Sequence, residues 1–392
     1  MSLNILISTP TFPPFNSGLG NAVQEQARML AKLGHHVTVA TYGLHRESIS
    51  VDGYVVEKFH VEGADSLINS LRGEIETYRT FLLDSNFDIV LLNAWQTWST
   101  DIALRILDSI SGKKILCSHC LSVNLFFMRT PIKSALRYLL WRPYYFRLSS
   151  YLRRLDGLVA LADRGCDSRF DDLSLAKSVG TKIYVIPNAL PAGMSAPYPL
   201  LTERTQIISV GAYDWQKGHD FVLQAYAKSV AKNKVPLKFF GQKFNGYTDE
   251  LRRLSRALGI EAHSLSFHEG VTDDALREQY RRALVFVCGS HTECQPLVLL
   301  DAMATGTPFV SRASGCIDSM LGGIAVRSPE AAAAELDRLL TDGVLWQRKS
   351  AAGLQGAIVH SHESVMQNWD QTLQQILNLD TLPATLSNVR GN

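Results

Sequence analysis

Short apolar runs alternate with amphipathic segments along nearly the whole chain, and the alternation happens twice with a break between. Residues 4–8, 36–41, 89–92, 114–118, 158–161 and 183–186 are apolar runs too short for buried helices and read as strands; 21–33 has helical spacing. The pattern resumes at 207–210, 237–240, 264–267, 284–287, 309–311 and 324–326. Strand–helix alternation implies parallel sheets covered on both faces, hence an α/β fold. Between the series lie Pro187, Pro191, Pro197 and Pro199, with Asn188 and Gly193. Such composition continues neither a helix nor a central strand, so 187–205 reads as an interdomain linker. Segment 362–377 has helical spacing and 380–392 reads as a frayed tail. Two similar units on a hinge predict a ligand crevice between them, with the chemistry just after the strands.

Composition narrows the class. At about 100–200 residues per domain, 392 residues suggest two or three domains. With 46% hydrophobic and 19% charged residues the chain can build real cores. A net charge of +2 argues against nucleic acid as a bulk partner. No apolar run approaches the ~18–20 residues that cross a bilayer. The N-terminus MSLNILIST lacks a basic region and cleavage site, so a first core strand is expected there and no signal peptide. The six cysteines show no framework spacing, which fits a reducing cytosol. Cys117-Ser-His-Cys120 has C-x-x-C spacing, but no second ligand pair accompanies it. Small buried residues at a strand end are the plainer reading, and no metal site is expected.

Four places can carry chemistry. In STPTFPPFNSGLGN a strand end, a glycine-bearing loop and a helix start near Gly20 or Asn21 follow one another. Gly18 and Gly20 allow close backbone approach, and a helix N-terminus suits an anion. As a dinucleotide fingerprint the stretch fails, because Val23 stands where a third glycine belongs. His119 follows a strand and can bond a sugar hydroxyl or be merely a satisfied polar residue. Lys217-Gly218 follows the strand of GAYDWQKG, where a lysine can meet phosphate or simply be solvated. The stretch HTECQPLVLLDAMATGTPFV sets Glu293 before an apolar helix expected at 296–305, and Asp301 inside it. Their spacing of eight, just over two helical turns, can put both on one face. The helix start near Cys294 and Leu297 suits a diphosphate. On spacing alone two readings stand: hydroxyl acceptors for a ligand, or a helix cap and a structural partner of an arginine.

The ordered set of motifs resembles the retaining glycosyltransferases of family 4 (GT4), which have the GT-B fold of two Rossmann-like parallel-sheet domains facing across a cleft. The resemblance rests on TFPPFNSGLGN, LAKLGHHVTVAT, Val185-Ile-Pro-Asn188, GAYDWQKG, GVTDDALREQY, and Glu293 with Asp301 followed by AMATGTP. It implies an acceptor domain at 1–188, a nucleotide-sugar donor domain at 189–361, and a C-terminal helix and tail at 362–392 packing back on the first. It implies transfer of a hexosyl group from a UDP- or GDP-linked donor, without metal or other cofactor. Glu293 matches the acid that meets the donor sugar, Asp301 the acid on the ribose hydroxyls, and Lys217 the lysine at the diphosphate. Gly18 and Gly20 match the loop near those phosphates, and His119 a histidine beside the sugar. Gly211, Gln295, Pro296 and Leu297 complete the implied donor site.

The chain departs from that pattern in three places, at four positions. Ala212 stands where the family has arginine after Gly211. One lost charge-assisted contact costs about 2–4 kcal/mol at the transition state, unless Arg164, Lys243 or another cation reaches in. Asp301 stands for Glu, and Gln295-Pro296 replaces a Gly-aromatic pair. Segment 128–156 carries Arg129, Lys133, Arg137, Arg142, Arg147, Arg153 and Arg154 with no acid before Asp156, interleaved with Tyr138, Trp141, Tyr144, Tyr145 and Tyr151. Arg137, Trp141, Arg142 and Arg147 are therefore candidate contacts to an anionic membrane surface or a lipid-linked acceptor, against a plain helix with aromatics inward. The expected protein is a cytoplasmic hexosyltransferase, peripheral on the inner face of the membrane. It would act on a glycan or lipid-linked acceptor in cell-surface polysaccharide or glycolipid biosynthesis. A non-catalytic scaffold of the same fold, or a nucleotide-sugar epimerase, are the rival classes.

Overall fold

The computed structural model describes residues 2–15, 17–67, 69–190 and 201–378. Pro191, Gly193, Pro197 and Pro199 of the expected linker, and the tail at 380–392, lie outside the described residues. The chain divides into two compact units, the second comprising 164–167 and 188–362 and the first the remainder.

The first unit holds β1 (Asn4–Ser8), α1 (Gly18–Lys32), β2 (His36–Tyr42), β3 (Glu47–Val51), β4 (Tyr54–Phe59), a two-residue pair β5 (Val61–Glu62) and β6 (Arg72–Gly73), α2 (Ile75–Asp84), β7 (Ile89–Asn93), α3 (Trp98–Arg105), β8 (Lys113–Ser118), α4 (Pro131–Leu140), α5 (Arg142–Arg154), β9 (Gly157–Ala160), α6 (Asp171–Val179) and β10 (Ile183–Val185). Its main sheet runs β10-β9-β8-β7-β1-β2-β4-β3. Every pairing is parallel except β3 on β4, so the all-parallel expectation is corrected at this edge. The hairpin signal was present: Asp52-Gly53 joins β3 to β4 with φ of 50° and 83°, the primed-turn conformation that Asp-Gly favours. Ile5, Leu6, Ile7 and all of Ile89–Leu92 are fully buried, as strands covered on both faces must be.

The second unit holds β11 (Gln206–Val210), α7 (His219–Lys228), β12 (Leu237–Gly241), α8 (Gly246–Ala257), β13 (Leu265–Glu269), α9 (Asp273–Arg281), β14 (Ala283–Cys288), α10 (Leu297–Ala304), β15 (Phe309–Arg312), β16 (Gly323–Val326), α11 (Pro329–Thr341) and α12 (Gly343–Val359). Its sheet is wholly parallel, in the order β13-β12-β11-β14-β15-β16. Ile207, Phe239, Val285, Val287 and Val310 pack with Phe221, Tyr226 and Leu336 in its core. The last helix, α13 (His362–Asn378), clusters with the first unit.

Both sheets reverse their winding direction once. In the first, β1 pairs with β2 on one side and β7 on the other; in the second, β11 pairs with β12 and β14. Connections leave such a point on opposite faces of the sheet, and the loops at the strands' carboxyl ends part to leave a crevice. The candidate residues emerge at these two points.

Candidate functional site

In the second unit the loop after β11 carries Gly211 and Lys217, and the loop after β14 carries Glu293. Lys217 Nζ donates to Glu293 Oε1 at 2.7 Å. The carboxylate is the better buried partner, 12% exposed against 38% for the lysine side chain. Burial works against the ammonium charge, but Glu293 outweighs it and the Lys217 pKa is raised, so the lysine stays cationic. Two glycines let these loops meet. Gly218 has φ +61°, and a Cβ there would stand 1.9 Å from the Gly289 carbonyl oxygen; a Cβ on Gly289 would stand 2.0 Å from that of Gly218. Only glycine fits both positions, which is the physical content of the Lys-Gly pair.

Asp301 lies on α10, whose Leu299, Leu300, Ala302, Met303 and Ala304 are all buried. A helix so apolar is held by its surroundings. Thr305 and Gly306, the latter at φ +62°, end it where the sequence placed its stop. Its start is at Leu297 with Pro296 at the cap and no side-chain cap bond, so Glu293 is a loop residue and not the helix cap. The Asp301 carboxylate makes no side-chain hydrogen bond or ion pair with the described residues. Burial pushes its pKa up to about 7; the charge of Arg277 on α9 opposes this and Asp273 adds to it. Of the two structural roles open in the sequence, capping and pairing with an arginine, neither is observed.

Gln295 is turned away from solvent. Its Oε1 accepts from the Asn188 backbone N–H at 2.7 Å, and Asn188 Nδ2 donates to its carbonyl at 3.4 Å. Its side chain therefore anchors the linker start, while the N–H groups of the α10 first turn, from Leu297, keep the potential for an anion. Pro296 supplies the extended cap conformation, with φ −71° and ψ 119°.

Three positioning residues escaped the sequence reading. His219, buried and held neutral with a pKa lowered to about 4 by burial, donates from Nε2 to the carbonyls of Gly211 and Ala212 at 3.3 and 3.2 Å. It fixes the loop that lacks the family's arginine. Gly315, at φ +58°, leaves no room for a Cβ, which would lie 2.3 Å from the carbonyl oxygens of Glu293 and Cys294. With Cys316 N–H donating to Cys294 O at 2.9 Å, that turn backs the Glu293 loop. Arg312 ends β15, stacks 4.4 Å over Phe221 and bonds His291 Nδ1 at 2.8 Å. Its place at the end of a strand was the available signal. Arg164 and Lys243, named as substitutes for the missing arginine, are exposed and make no ion pair among the described residues.

In the first unit α1 begins at Gly18, capped by the Ser17 side chain, which accepts from Gly20 N–H at 2.9 Å. The helix thus starts earlier than Gly20 or Asn21, and both glycines belong to its first turn. The cap explains the shift: serine draws the helix back to itself. The Gly20 amide is spent on the cap. A Cβ on Gly18 meets nothing within 4 Å. Gly18→Ala is therefore expected to leave the melting temperature unchanged. If a substrate approaches this turn, it raises that substrate's KM roughly tenfold, the cost of about 1.4 kcal/mol of lost approach. Steady-state kinetics beside a thermal melt check both halves.

His119 follows β8. Its Nε2 bonds Asn93 Oδ1 at 3.1 Å, and Asn93 Nδ2 donates to Gln26 Oε1 at 3.3 Å. The chain of amides sets the tautomer: Asn93 presents oxygen, so Nε2 carries the proton. Burial lowers the His119 pKa to about 4, so it acts as a neutral hydrogen-bonding group and not as a cation. Ala94 and Gln96 after β7 and Cys120 after β8 have φ of 69°, 61° and 71°. Left-handed backbone at non-glycine residues concentrates at functional sites. The Cys117 thiol is buried, pushed up to about 12, and unsuited to nucleophilic work. Among the described residues no group of three or more His, Cys, Asp or Glu stands together as metal ligands would. A concavity lined by Lys113, Asp156 and Thr181 lies at the amino ends of β8 to β10, away from these groups.

Among the residues expected at a membrane surface or acceptor, Trp141 needs correction. Trp141 is buried, packed edge-on to Tyr144 at 5.4 Å, because it fills the join of α4 and α5. Arg147 is ion-paired with Asp65 at 2.8 Å. Arg142 stacks on Tyr138 and Tyr145, at 3.8 and 4.6 Å from their centroids. Arg137 is partly buried and donates to Ser122 Oγ at 2.9 Å. Trp141, Tyr144 and Tyr151 pack inward, while Tyr138 stays exposed, and these arginines are bonded within the first unit.

Residues 204–342 match the family described as Glycosyl transferases group 1. The structure is similar to sucrose-phosphate synthase from Thermosynechococcus elongatus, with TM-score 0.72 and 17% identity over 96% of this chain and 99% of that one. The chain has the GT-B fold, and the stretch that matches glycosyl transferases group 1 lies within its second unit. The matched stretch contains Gly211, Lys217, Glu293 and Asp301. The GT-B likeness extends to Anabaena HepE in complex with UDP, with TM-score 0.66 and 14% identity over 95% of this chain and all of that one. An uncharacterized glycosyltransferase of Methanocaldococcus jannaschii is 32% identical over 146 residues, 36% of this chain and 37% of its own length. The chain aligns with about a quarter to two fifths of the lengths of the first curated relatives.

Proposed function

We propose that the protein is a retaining hexosyltransferase. It moves a sugar from a UDP- or GDP-linked donor to a glycan or lipid-linked acceptor, in cell-surface polysaccharide or glycolipid biosynthesis. The observation that carries this reading is the group 1 domain's arrangement at its switch point. A lysine–glutamate pair closes at 2.7 Å, and close by in sequence a mostly buried carboxylate, Asp301, has no partner of its own. A half-buried carboxylate without a partner is costly, and a ribose diol would satisfy it.

In the proposed reaction the bond from the sugar's anomeric carbon to the β-phosphate oxygen breaks. The acceptor oxygen bonds on the same face, and the departing phosphate takes the acceptor's proton. Lys217 neutralises charge growing on the diphosphate, and the α10 first turn adds its N–H groups. Glu293 steers the ammonium in the free protein and meets the sugar in the complex. The first unit takes the acceptor, with neutral His119 as a hydroxyl partner.

Thermal stabilisation by UDP, GDP and ADP identifies the base, since a ligand at 100 times its Kd adds about 2.7 kcal/mol. With the matching donor, slow hydrolysis without acceptor and a product of unchanged anomeric configuration by NMR are expected. Tight nucleotide binding with no turnover of any donor sinks the transferase and leaves the scaffold reading, which the missing arginine at Ala212 favours.

A further inference from the structure

α4 is amphipathic the wrong way round for a soluble surface. Ser134 is its one buried residue, 3% exposed. Ile132, Leu136 and Leu139, at i, i+4 and i+7, share the opposite side and are 83%, 57% and 64% exposed. Met128, just ahead of the helix, is 81% exposed, and Phe146 on α5 is 76% exposed. Helices on a soluble body turn such a stripe inward, and contiguous apolar surface left outside marks a docking face.

The charge around the stripe says what docks there. From Ser109 to Leu155 the chain has no acidic residue, while Arg129, Lys133, Arg137 and Arg142 lie on or beside α4. Lys133 is exposed and makes no ion pair among the described residues. Arg137 and Arg142 donate to neutral oxygens of Ser122, Leu125 and Tyr138, so their charge is not cancelled by a contacting carboxylate. An apolar stripe within a field of one positive sign fits an interface that is apolar inside and anionic at its rim. A protein partner would need a matching acidic ring round a hydrophobic patch; a bilayer of anionic lipid offers both everywhere.

We propose that α4 lies in the surface of an anionic bilayer, with Ile132, Leu136 and Leu139 inserted among the acyl chains and Lys133 at headgroup level. The seat is aliphatic, in place of the arginine and tryptophan set that the sequence suggested. It stands independently of the transferase reading, because its readout is sedimentation and not turnover.

The test uses the full chain and vesicles of phosphatidylcholine with or without phosphatidylglycerol. Wild type is expected to sediment with the phosphatidylglycerol vesicles. The triple variant Ile132→Ser, Leu136→Ser, Leu139→Ser should lose at least about tenfold in partitioning, since each buried methylene contributes to insertion. Its melting temperature should be unchanged, because the three side chains touch solvent. Lys133→Gln should weaken binding to the anionic vesicles alone. Three results overturn the proposal: wild type that ignores both vesicles, a triple variant that sediments like wild type, or a concentration-dependent dimer that the triple variant abolishes, which would make the stripe a contact between two copies.

Discussion

Lys217→Met is expected to lower kcat for sugar transfer by about 100–1000-fold, the range for removing one preorganised charge-stabilising donor. The side chain is more than a third exposed and its ion pair is its main contact, so the melting temperature should move little. Glu293→Gln is expected to fall in the same range for a different reason. It frees the ammonium from its 2.7 Å partner and removes the acid that would meet the sugar. Because the two act as one unit, the double variant should be about as slow as the worse single variant and not the product of both. Single-turnover kinetics on the four proteins measures this. Additive losses would mean that the pair does not act together, and wild-type turnover in either single variant would remove these residues from the chemistry.

Asp301→Asn should stabilise the free protein while weakening nucleotide binding. The folded pKa of about 7 lies above the ordinary carboxylate value, so between about pH 4 and 7 the folded state holds a proton that the unfolded chain has released. Stability from this group is full below that window and is lost as pH rises through about 7. At pH 8 the wild type holds an ionised, half-buried carboxylate without a partner, and the variant does not. The expected gain is about 1–3 kcal/mol, the usual cost of a buried polar group left unsatisfied. At pH 4 the difference should vanish. Nucleotide affinity at pH 8 should drop about 10–100-fold, as charge-assisted bonds of about 1.5–3 kcal/mol are lost. In the wild type affinity should also fall as pH drops below about 7, and in the variant that component should be absent. Thermal melts and nucleotide titrations at pH 6 and 8 decide it; an unchanged Tm together with unchanged affinity would show that Asp301 faces neither solvent-starved surroundings nor a nucleotide.

The same carboxylate shows how far the linear chain can be read. That Asp301 sits in an apolar helix was visible in HTECQPLVLLDAMATGTPFV, and so was the stop at Gly306. That it has no arginine partner was not, because pairing depends on what α9 brings near it. Most of the twelve strands of the two series were legible because strands buried on both faces are continuous apolar runs; β10, β13 and β16, at the sheet edges, are only partly buried. The edge hairpin β3–β4 was passed over because ESISV and YVVEKF are half polar, even though Asp52-Gly53 announced its turn. In segment 128–156 composition misled: it shows which residue types are present but not which way a helix is turned.

Local sequence by itself determined the two αβ series, the break between them, the positions of Lys217 and Glu293 after strands and that of Asp301 inside the next helix, because strand period and turn chemistry are properties of neighbouring residues. Tertiary structure alone decided that Lys217 reaches Glu293 across 76 positions, that Gly218 and Gly289 must both lack a side chain, that Gln295 faces Asn188, and that α4 shows its leucines to solvent. The first three are contacts between segments far apart in the chain, and the fourth depends on which face of α4 the rest of the unit leaves uncovered; strand order and helix orientation are not written in any single stretch.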